Sequence, residues 1–350
     1  MVVAAELAGH HYILGAGGVI IGLNRIEVDA RTISDTRRAD SDCGGRVRIG
    51  IVGLGWVGSS IAISTLHSGI ATELLLSDAR SDVAGGEAMD LAHGASFYPA
   101  SSVRAVPLVE LEELASADAV VVAAGRGGAP DESRLALLRD NAAIVREIAS
   151  GFRNLRGLLV VVTNPVDLMT RVAAEASGLP PARVIGTGTM LDTARLRQVL
   201  GRELSLEPRS IHAQVVGEHG DSEVVLWSSA SVGGVPLRRW PAWNPAREES
   251  VAGEVRRAAY EIIQRKGATN HAIGLVTAAL LRWSLRGERR VLTVSRVQEG
   301  PLGLRDVALS LPSIVGSAGA VEVLEPALEA DEREALLRSA GVLRKAWDSL

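Results

Sequence analysis

A histidine set between two glycines opens the chemistry of this chain. Gly217-Glu218-His219-Gly220-Asp221-Ser222 follows the apolar run Ile211-His212-Ala213-Gln214-Val215-Val216. Glycines there permit a tight turn and a close approach to the ring. Histidine both donates and accepts a proton near neutral pH, so His219 is a candidate acid/base. Three further segments carry groups such a histidine would need. Glu132-Ser133-Arg134-Leu135 precedes a helix that begins about Leu135. Thr163-Asn164-Pro165-Val166-Asp167 ends a strand. Met190-Leu191-Asp192-Thr193-Ala194-Arg195 leads into a helix. Asp192 and Arg195 are three apart, so both side chains can reach one site from the same helical face.

A second motif concerns a phosphate-bearing ligand. Val47 to Val52 reads as a short apolar strand, followed at once by Gly53-Leu54-Gly55-Trp56-Val57-Gly58 and a helix from Ser59 to Ser68. Strand, G-x-G-x-x-G and helix in this order form a dinucleotide fingerprint. Gly53 makes the turn, Gly55 lets the backbone reach a pyrophosphate, and Gly58 packs the helix on the strand. The helix N-terminus faces the phosphates. Asp78 ends the next strand, Glu73 to Ser77, where a carboxylate binds the ribose hydroxyls and repels a 2′-phosphate, so NAD is the expected cofactor. The plain alternative is a strand–helix turn with Asp78 capping the following helix.

The elements that position these groups alternate. Strands at Ala119 to Ala124 and Leu158 to Val162 are continuous Val/Ile/Leu/Ala runs, separated by a helix at Leu135 to Ala149. This predicts an α/β fold: a doubly wound parallel sheet with helices on both faces. Beyond about residue 165 the helices lengthen. Ile211 to Val216 and Val291 to Val297 look like members of a separate, more antiparallel sheet. The last segment, Ala330 to Leu350, places Leu336, Ala340, Leu343 and Trp347 on one helical face. The division expected is an N-terminal extension over 1–46, a Rossmann domain over 47–190 and an α+β substrate domain over 191–350. The extension reads as an oligomer-contact arm, a tail, or a start placed too far upstream.

Bulk properties exclude several classes. The 350 residues suffice for one large or two ordinary domains, and 47% are apolar against 22% charged, as in soluble globular proteins. A net charge of -4 argues against a nucleic-acid partner. Cys43 is the only cysteine, so no internal disulfide can form. No apolar run approaches membrane-span length, and the N-terminus lacks the pattern of a secretory signal. No metal is called for. The expectation is a cytoplasmic enzyme.

Taken together in chain order, the four chemical segments resemble the L-lactate/malate dehydrogenase family, nearest its L-lactate dehydrogenase branch. Gly86-Glu87-Ala88-Met89-Asp90-Leu91-Ala92-His93-Gly94, Lys266-Gly267-Ala268-Thr269 and Leu311-Pro312 extend the resemblance over roughly 46 to 350. It implies that NADH passes a hydride to a small 2-oxo acid. His219 would protonate the new alkoxide, with Asp192 holding its ring. Arg195 would grip the substrate carboxylate with two parallel bonds. Arg134, on a mobile loop, would polarise the ketone oxygen. Asn164 would stand between nicotinamide and substrate, and Thr269 would line the pocket. A homodimer or homotetramer is implied. His212 and Arg197 match positions that in some bacterial relatives bind a phosphorylated sugar, although packing at a core or interface is the simpler reading.

The chain departs from the family in one place. Six residues before Arg134, lactate enzymes place glutamine and malate enzymes arginine; here stands Gly128, beside Gly127. A side chain is thereby removed from over the substrate, which leaves a larger pocket with no fixed charge for a second carboxylate. Bulkier 2-oxo acids and pyruvate are both expected substrates. Arg126 could recover charge recognition only by swinging inward from a register two residues off. The alternatives are a malate dehydrogenase, or a non-catalytic NAD-binding protein on the same fold.

Overall fold

The computed structural model describes residues 45–128, 133–241 and 243–350, and the backbone of three N-terminal strands. Those strands, β1 (Val3–Leu7), β2 (His10–Leu14) and β3 (Ile20–Gly22), form an antiparallel sheet within a unit spanning Met1–Gly45. The glycine run between β2 and β3 lies outside the described residues.

Arg46–Leu350 is the second unit. It opens with β4 (Arg48–Val52), α1 (Trp56–Ser68), β5 (Glu73–Ser77), α2 (Ser81–His93), β6 (Ser102–Ala105), α3 (Leu111–Leu114) and β7 (Ala119–Val122). There follow α4 (Arg134–Ser150), β8 (Leu158–Val161), α5 (Val166–Ser177), β9 (Val184–Gly186) and α6 (Met190–Leu204). The strands β4, β5, β7, β8 and β9 are almost wholly buried, which is why they read as unbroken apolar runs rather than alternating ones. They pair in parallel with β6 in the order β9-β8-β7-β4-β5-β6. The order reverses between β4 and β7, and ligands of such sheets bind in the crevice at the carboxyl ends beside that point. Gly53, Asp78, Ala123, Asn164 and Thr187 all lie just past those ends.

The remaining elements are the short strands β10 (Ile211–His212), β11 (Val215–Val216), β12 (Val224–Val225), β13 (Ser231–Val232) and β14 (Val235–Pro236), then α7 (Pro245–Lys266) and α8 (His271–Leu285). Three longer strands, β15 (Arg290–Glu299), β16 (Arg305–Gly316) and β17 (Gly319–Val323), precede α9 (Ala330–Trp347). Two expectations need correction here. Val291 to Val297 does not belong to a separate sheet: β15 pairs antiparallel with β9 through Ser295 and Gly186, so β15, β16 and β17 extend the parallel sheet to nine strands. The contact is possible because Gly186 has no side chain; a Cβ there would stand 3.1 Å from that of Ser295. Ile211 to Val216 is not one strand either. It divides into β10 and β11, which join two different small sheets, β10-β13-β14 and β11-β12.

Two helix contacts carry the site. Gly274 of α8 lies against the backbone of Ser60 in α1, where an added Cβ would come within 2.6 Å of the Ser60 carbonyl. Beside it the Asn270 side chain donates to Ser60 Oγ at 2.8 Å, which fixes the chain just after Thr269 to the glycine-motif helix. In α9, Leu336, Ala340 and Leu343 are buried in the main core, as the helical pattern predicts, with Trp347 partly buried against Arg171.

Candidate active site

Asp192 is the hub. It sits in the first turn of α6, 2% exposed. One carboxylate oxygen meets His219 Nδ1 at 2.5 Å and the other accepts from Arg195 Nη1 at 2.9 Å. Burial alone would raise the Asp192 carboxyl, but the His219 ring and the Arg195 guanidinium hold it below its usual value. The converse holds for His219: burial disfavours the imidazolium, yet Asp192, helped by Asp167, pushes it up to about 9. The ring is therefore charged at neutral pH, with Nδ1 committed and Nε2 left to deliver a proton.

The turn carrying His219 is braced from two directions. Asp167 of α5 is buried and accepts the His219 backbone N–H at 2.7 Å. Burial is the main cause that raises this carboxyl to about 6. From α9, Ser339 Oγ accepts the Glu218 N–H at 2.8 Å, and Glu218 in turn bonds the hydroxyl and N–H of Ser222. Gly217 packs on the same serine with φ +85°, and a Cβ there would strike Ser339 Oγ at 2.7 Å. Neither Asp167 nor Ser339 received a role from the sequence. Asp167 stood in a segment already singled out, but its partner is 52 residues away; Ser339 arrives from 121 residues away with no local signal.

His219, Arg195, Asn164 and Thr269 line one cavity of about 110 Å³ with Val57, Gly188 and Ile273. The Asn164 carbonyl accepts from Asn141 of α4, whose side chain also bonds both backbone groups of Arg126. Gly128 lies in the exposed segment that follows Arg126. The Arg126 guanidinium itself is engaged by Asp140 at 2.9 and 2.5 Å, outside that cavity. Arg134 was expected on the loop; its backbone instead opens α4, because Ser133 caps the helix by accepting the Ala136 N–H at 3.1 Å. The Arg134 side chain and 129–132 lie outside the described residues. Arg197 is drawn to the Ala213 carbonyl at 3.0 Å, and His212 is exposed in β10.

The glycine motif opens on a cleft of about 770 Å³, lined by Gly53, Gly55, Asp78, Arg80, Ala124 and Gly125 among others. Gly53 has φ +94° and lies so close to β7 that a Cβ would sit 2.4 Å from Ala124. Gly58 touches the Gly53 carbonyl, at 1.8 Å from a notional Cβ, whereas at Gly55 that position is open space. Gly55, the N-cap of α1, lines the cleft, and no side chain caps the first N–H groups of that helix. Asp78 accepts the N–H of Leu54 at 2.8 Å and of Arg80 at 3.0 Å, bracing the turn; Arg80, not Asp78, is the N-cap of α2. The tight turn, open backbone and terminal acid fit a dinucleotide.

Comparison with known proteins agrees. Residues 47–186 match the NAD binding domain of lactate/malate dehydrogenase, and 189–350 its alpha/beta C-terminal domain. The L-lactate dehydrogenase of Salinibacter ruber is 44% identical over 306 residues, covering 85% of this chain and 96% of the relative. That of Thermus aquaticus is 44% identical over 311 residues, covering 87% and 99%. A ligand-bound crystal structure of the minor L-lactate dehydrogenase from Enterococcus mundtii superposes with a TM-score of 0.84 at 36% identity, covering 87% of this chain and 98% of that one. The hub at Asp192, the glycine cleft and the matches over both halves of the chain lead to one conclusion: the chain belongs to the lactate/malate dehydrogenase family.

Proposed function

We propose that this chain is an NAD-dependent L-2-hydroxy-acid dehydrogenase of the L-lactate dehydrogenase type. The observation that carries the reading is Asp192 bridging His219 and Arg195 at the wall of a cavity shared with Asn164 and Thr269. When bound, NADH supplies the hydride; Gly53, Gly55, Gly58 and Asp78 would hold it. Arg195 takes the substrate carboxylate, and its guanidinium plane offers two parallel donors. His219 Nε2 donates a proton to the ketone oxygen as it becomes an alkoxide, and recovers it in the reverse direction. Asp192 keeps the ring oriented and favours the charged form that must give the proton. Arg134, at the start of α4, polarises the ketone. Asn164 orients substrate against nicotinamide.

Gly127 and Gly128 favour a substrate side chain larger than a methyl group. Both glycines are exposed, and a Cβ at Gly127 would meet nothing within 4 Å, so the segment brings no side chain that could restrict the substrate. Arg126 is engaged by Asp140, away from the register that would read a second carboxylate, which disfavours oxaloacetate. Exposed Trp56, Ile63 and Leu275, on the paired helices α1 and α8, support a homodimer or homotetramer. Among the described residues no helix is long and apolar enough to cross a membrane, in keeping with a cytoplasmic enzyme.

The deciding experiment is NADH oxidation across pyruvate, oxaloacetate, 2-oxobutyrate, 2-oxoisocaproate and phenylpyruvate. Highest efficiency with pyruvate marks an ordinary lactate dehydrogenase. Preference for the bulky acids makes the glycine pair the determinant of specificity. Preference for oxaloacetate reassigns the chain to the malate branch. NADH binding with no turnover of any acid overturns the catalytic reading.

A further inference from the structure

A second cavity, of about 220 Å³, adjoins the first and shares Asn164, Arg195 and His219 with it. Asp192, Arg195 and His219 contribute to its lining, as do Glu223, Arg256 and Tyr260. Glu223 stands four residues beyond His219 on the same turn, its N–H bonded to the Gly220 carbonyl at 3.2 Å. It is 6% exposed, and its buried Oε1 has no hydrogen-bond partner among the described residues. Such an atom is costly unless a nearby charge balances it or the group keeps its proton. The charged groups around it are Asp192 and Arg195 from α6, Arg256 from α7, and His219 and Asp221 from its own turn, with Asp167 of α5 behind His219. Asp221 is engaged by the Tyr260 hydroxyl at 3.0 Å. The chemistry derived above uses neither Glu223 nor Arg256.

We propose that Glu223 is a positioning residue for proton transfer: a second buried carboxyl which, set against Arg256, fixes the charge felt by the Asp192–His219 pair and keeps His219 protonated further into the alkaline range. The inference rests on His219 being the acid in 2-oxo acid reduction.

Burial, reinforced by Asp192, pushes Glu223 up to about 8, against the opposing pull of Arg256, His219 and Arg195. Its proton is therefore in place at neutral pH, where an extra negative charge would repel an incoming substrate carboxylate. As pH rises, Glu223 loses that proton beside the His219 ring, which Asp192 holds up at about 9. The new anion then stabilises the neighbouring imidazolium.

The test is the pH profile of kcat/KM for the best 2-oxo acid, with saturating NADH, in full-length wild type, Glu223→Gln and Glu223→Asp. The amide copies the neutral carboxyl in shape but cannot ionise. At about pH 6.5, Glu223→Gln should keep kcat and KM within about twofold of wild type, and its alkaline midpoint should fall by about half a pH unit or more. Glu223→Asp should restore the wild-type midpoint. An unmoved midpoint in the Gln variant, or an equal loss at every pH, overturns the inference. Should the Gln variant fail to bind NADH, Glu223→Ala is read by the same midpoint. A wild type inactive with every acid defeats the functional reading itself, whereas an active wild type with an unshifted Gln variant defeats this inference alone.

Discussion

The His219 turn and the Gly125–Gly128 segment, to which the proposed function gives proton transfer and substrate choice, are built in opposite ways. His219 is held at three points supplied by three helices: its ring by Asp192 of α6, its N–H by Asp167 of α5, and the preceding N–H by Ser339 of α9. Among the described residues the segment is fastened at its base, where Arg126 meets Asp140 and Asn141 of α4, and then runs into two exposed glycines. Proton transfer needs groups held to within a fraction of an ångström, and a braced turn provides that. Selection among side chains of a substrate needs only a wall whose size can change, and an exposed segment allows this with little effect on the core. The rate should therefore be sensitive to the first region and the choice of acid to the second.

The largest expected effect breaks the braced side. His219→Asn should lower kcat by about 10²–10⁴-fold while NADH affinity stays unchanged, since the ring lies outside the glycine cleft. Single-turnover oxidation of bound NADH checks this, and a loss below about tenfold would remove His219 from the proton-transfer role. The next effect is in pH. With His219 at about 9, kcat/KM for 2-oxo acid reduction should be level through neutrality and then fall about tenfold per unit above that value. The sign follows from the protonated ring being the donor; oxidation of the 2-hydroxy acid needs the neutral ring and should rise over the same range. Asp192→Asn should draw both limbs back toward the ordinary histidine value, and limbs that stay in place would show that another group is titrating.

A smaller effect sharpens the other side of the comparison. Gly128→Gln should shift the ratio of efficiencies toward pyruvate and away from 2-oxoisocaproate by about tenfold, the scale on which a pocket distinguishes a few methylenes. The kcat for pyruvate should stay near its starting value, and an unchanged ratio would place the size-reading wall elsewhere. The smallest effect is Ser339→Ala. Loss of its bonds with the Glu218 N–H and the Ser222 hydroxyl should cost about 1–3 kcal/mol of stability by denaturant unfolding, with a few-fold loss of kcat and no change in substrate preference. A change in preference would mean that the two regions are coupled through α9.

Much of this arrangement was legible from residue types and spacing. The glycine motif announced its turn because Gly53 and Gly58 occupy positions where any side chain would collide with backbone, a demand that leaves few other residues possible. The buried parallel strands showed themselves as unbroken apolar runs because both their faces are covered. The edges were harder to read. The antiparallel pairing of β15 with β9 rests on one register at Ser295 and Gly186, and nothing in either segment specifies a partner more than 100 residues away. Arg134 joined α4 because of the Ser133 cap, a boundary decided by a single hydrogen bond.

The sequence by itself determined the local commitments: where strands give way to helices, where a backbone must turn without a side chain, and that one helix carries Asp192 and Arg195 a turn apart. Those follow from periodicity and from steric limits felt within a few residues. Only the tertiary structure decided that His219 meets that helix, and that Asp167 and Ser339 brace the turn that carries His219 and Glu223. Their charges and hydrogen bonds act through space, and the burial that pushes Glu223 and Asp167 upward exists only once distant segments have closed around them.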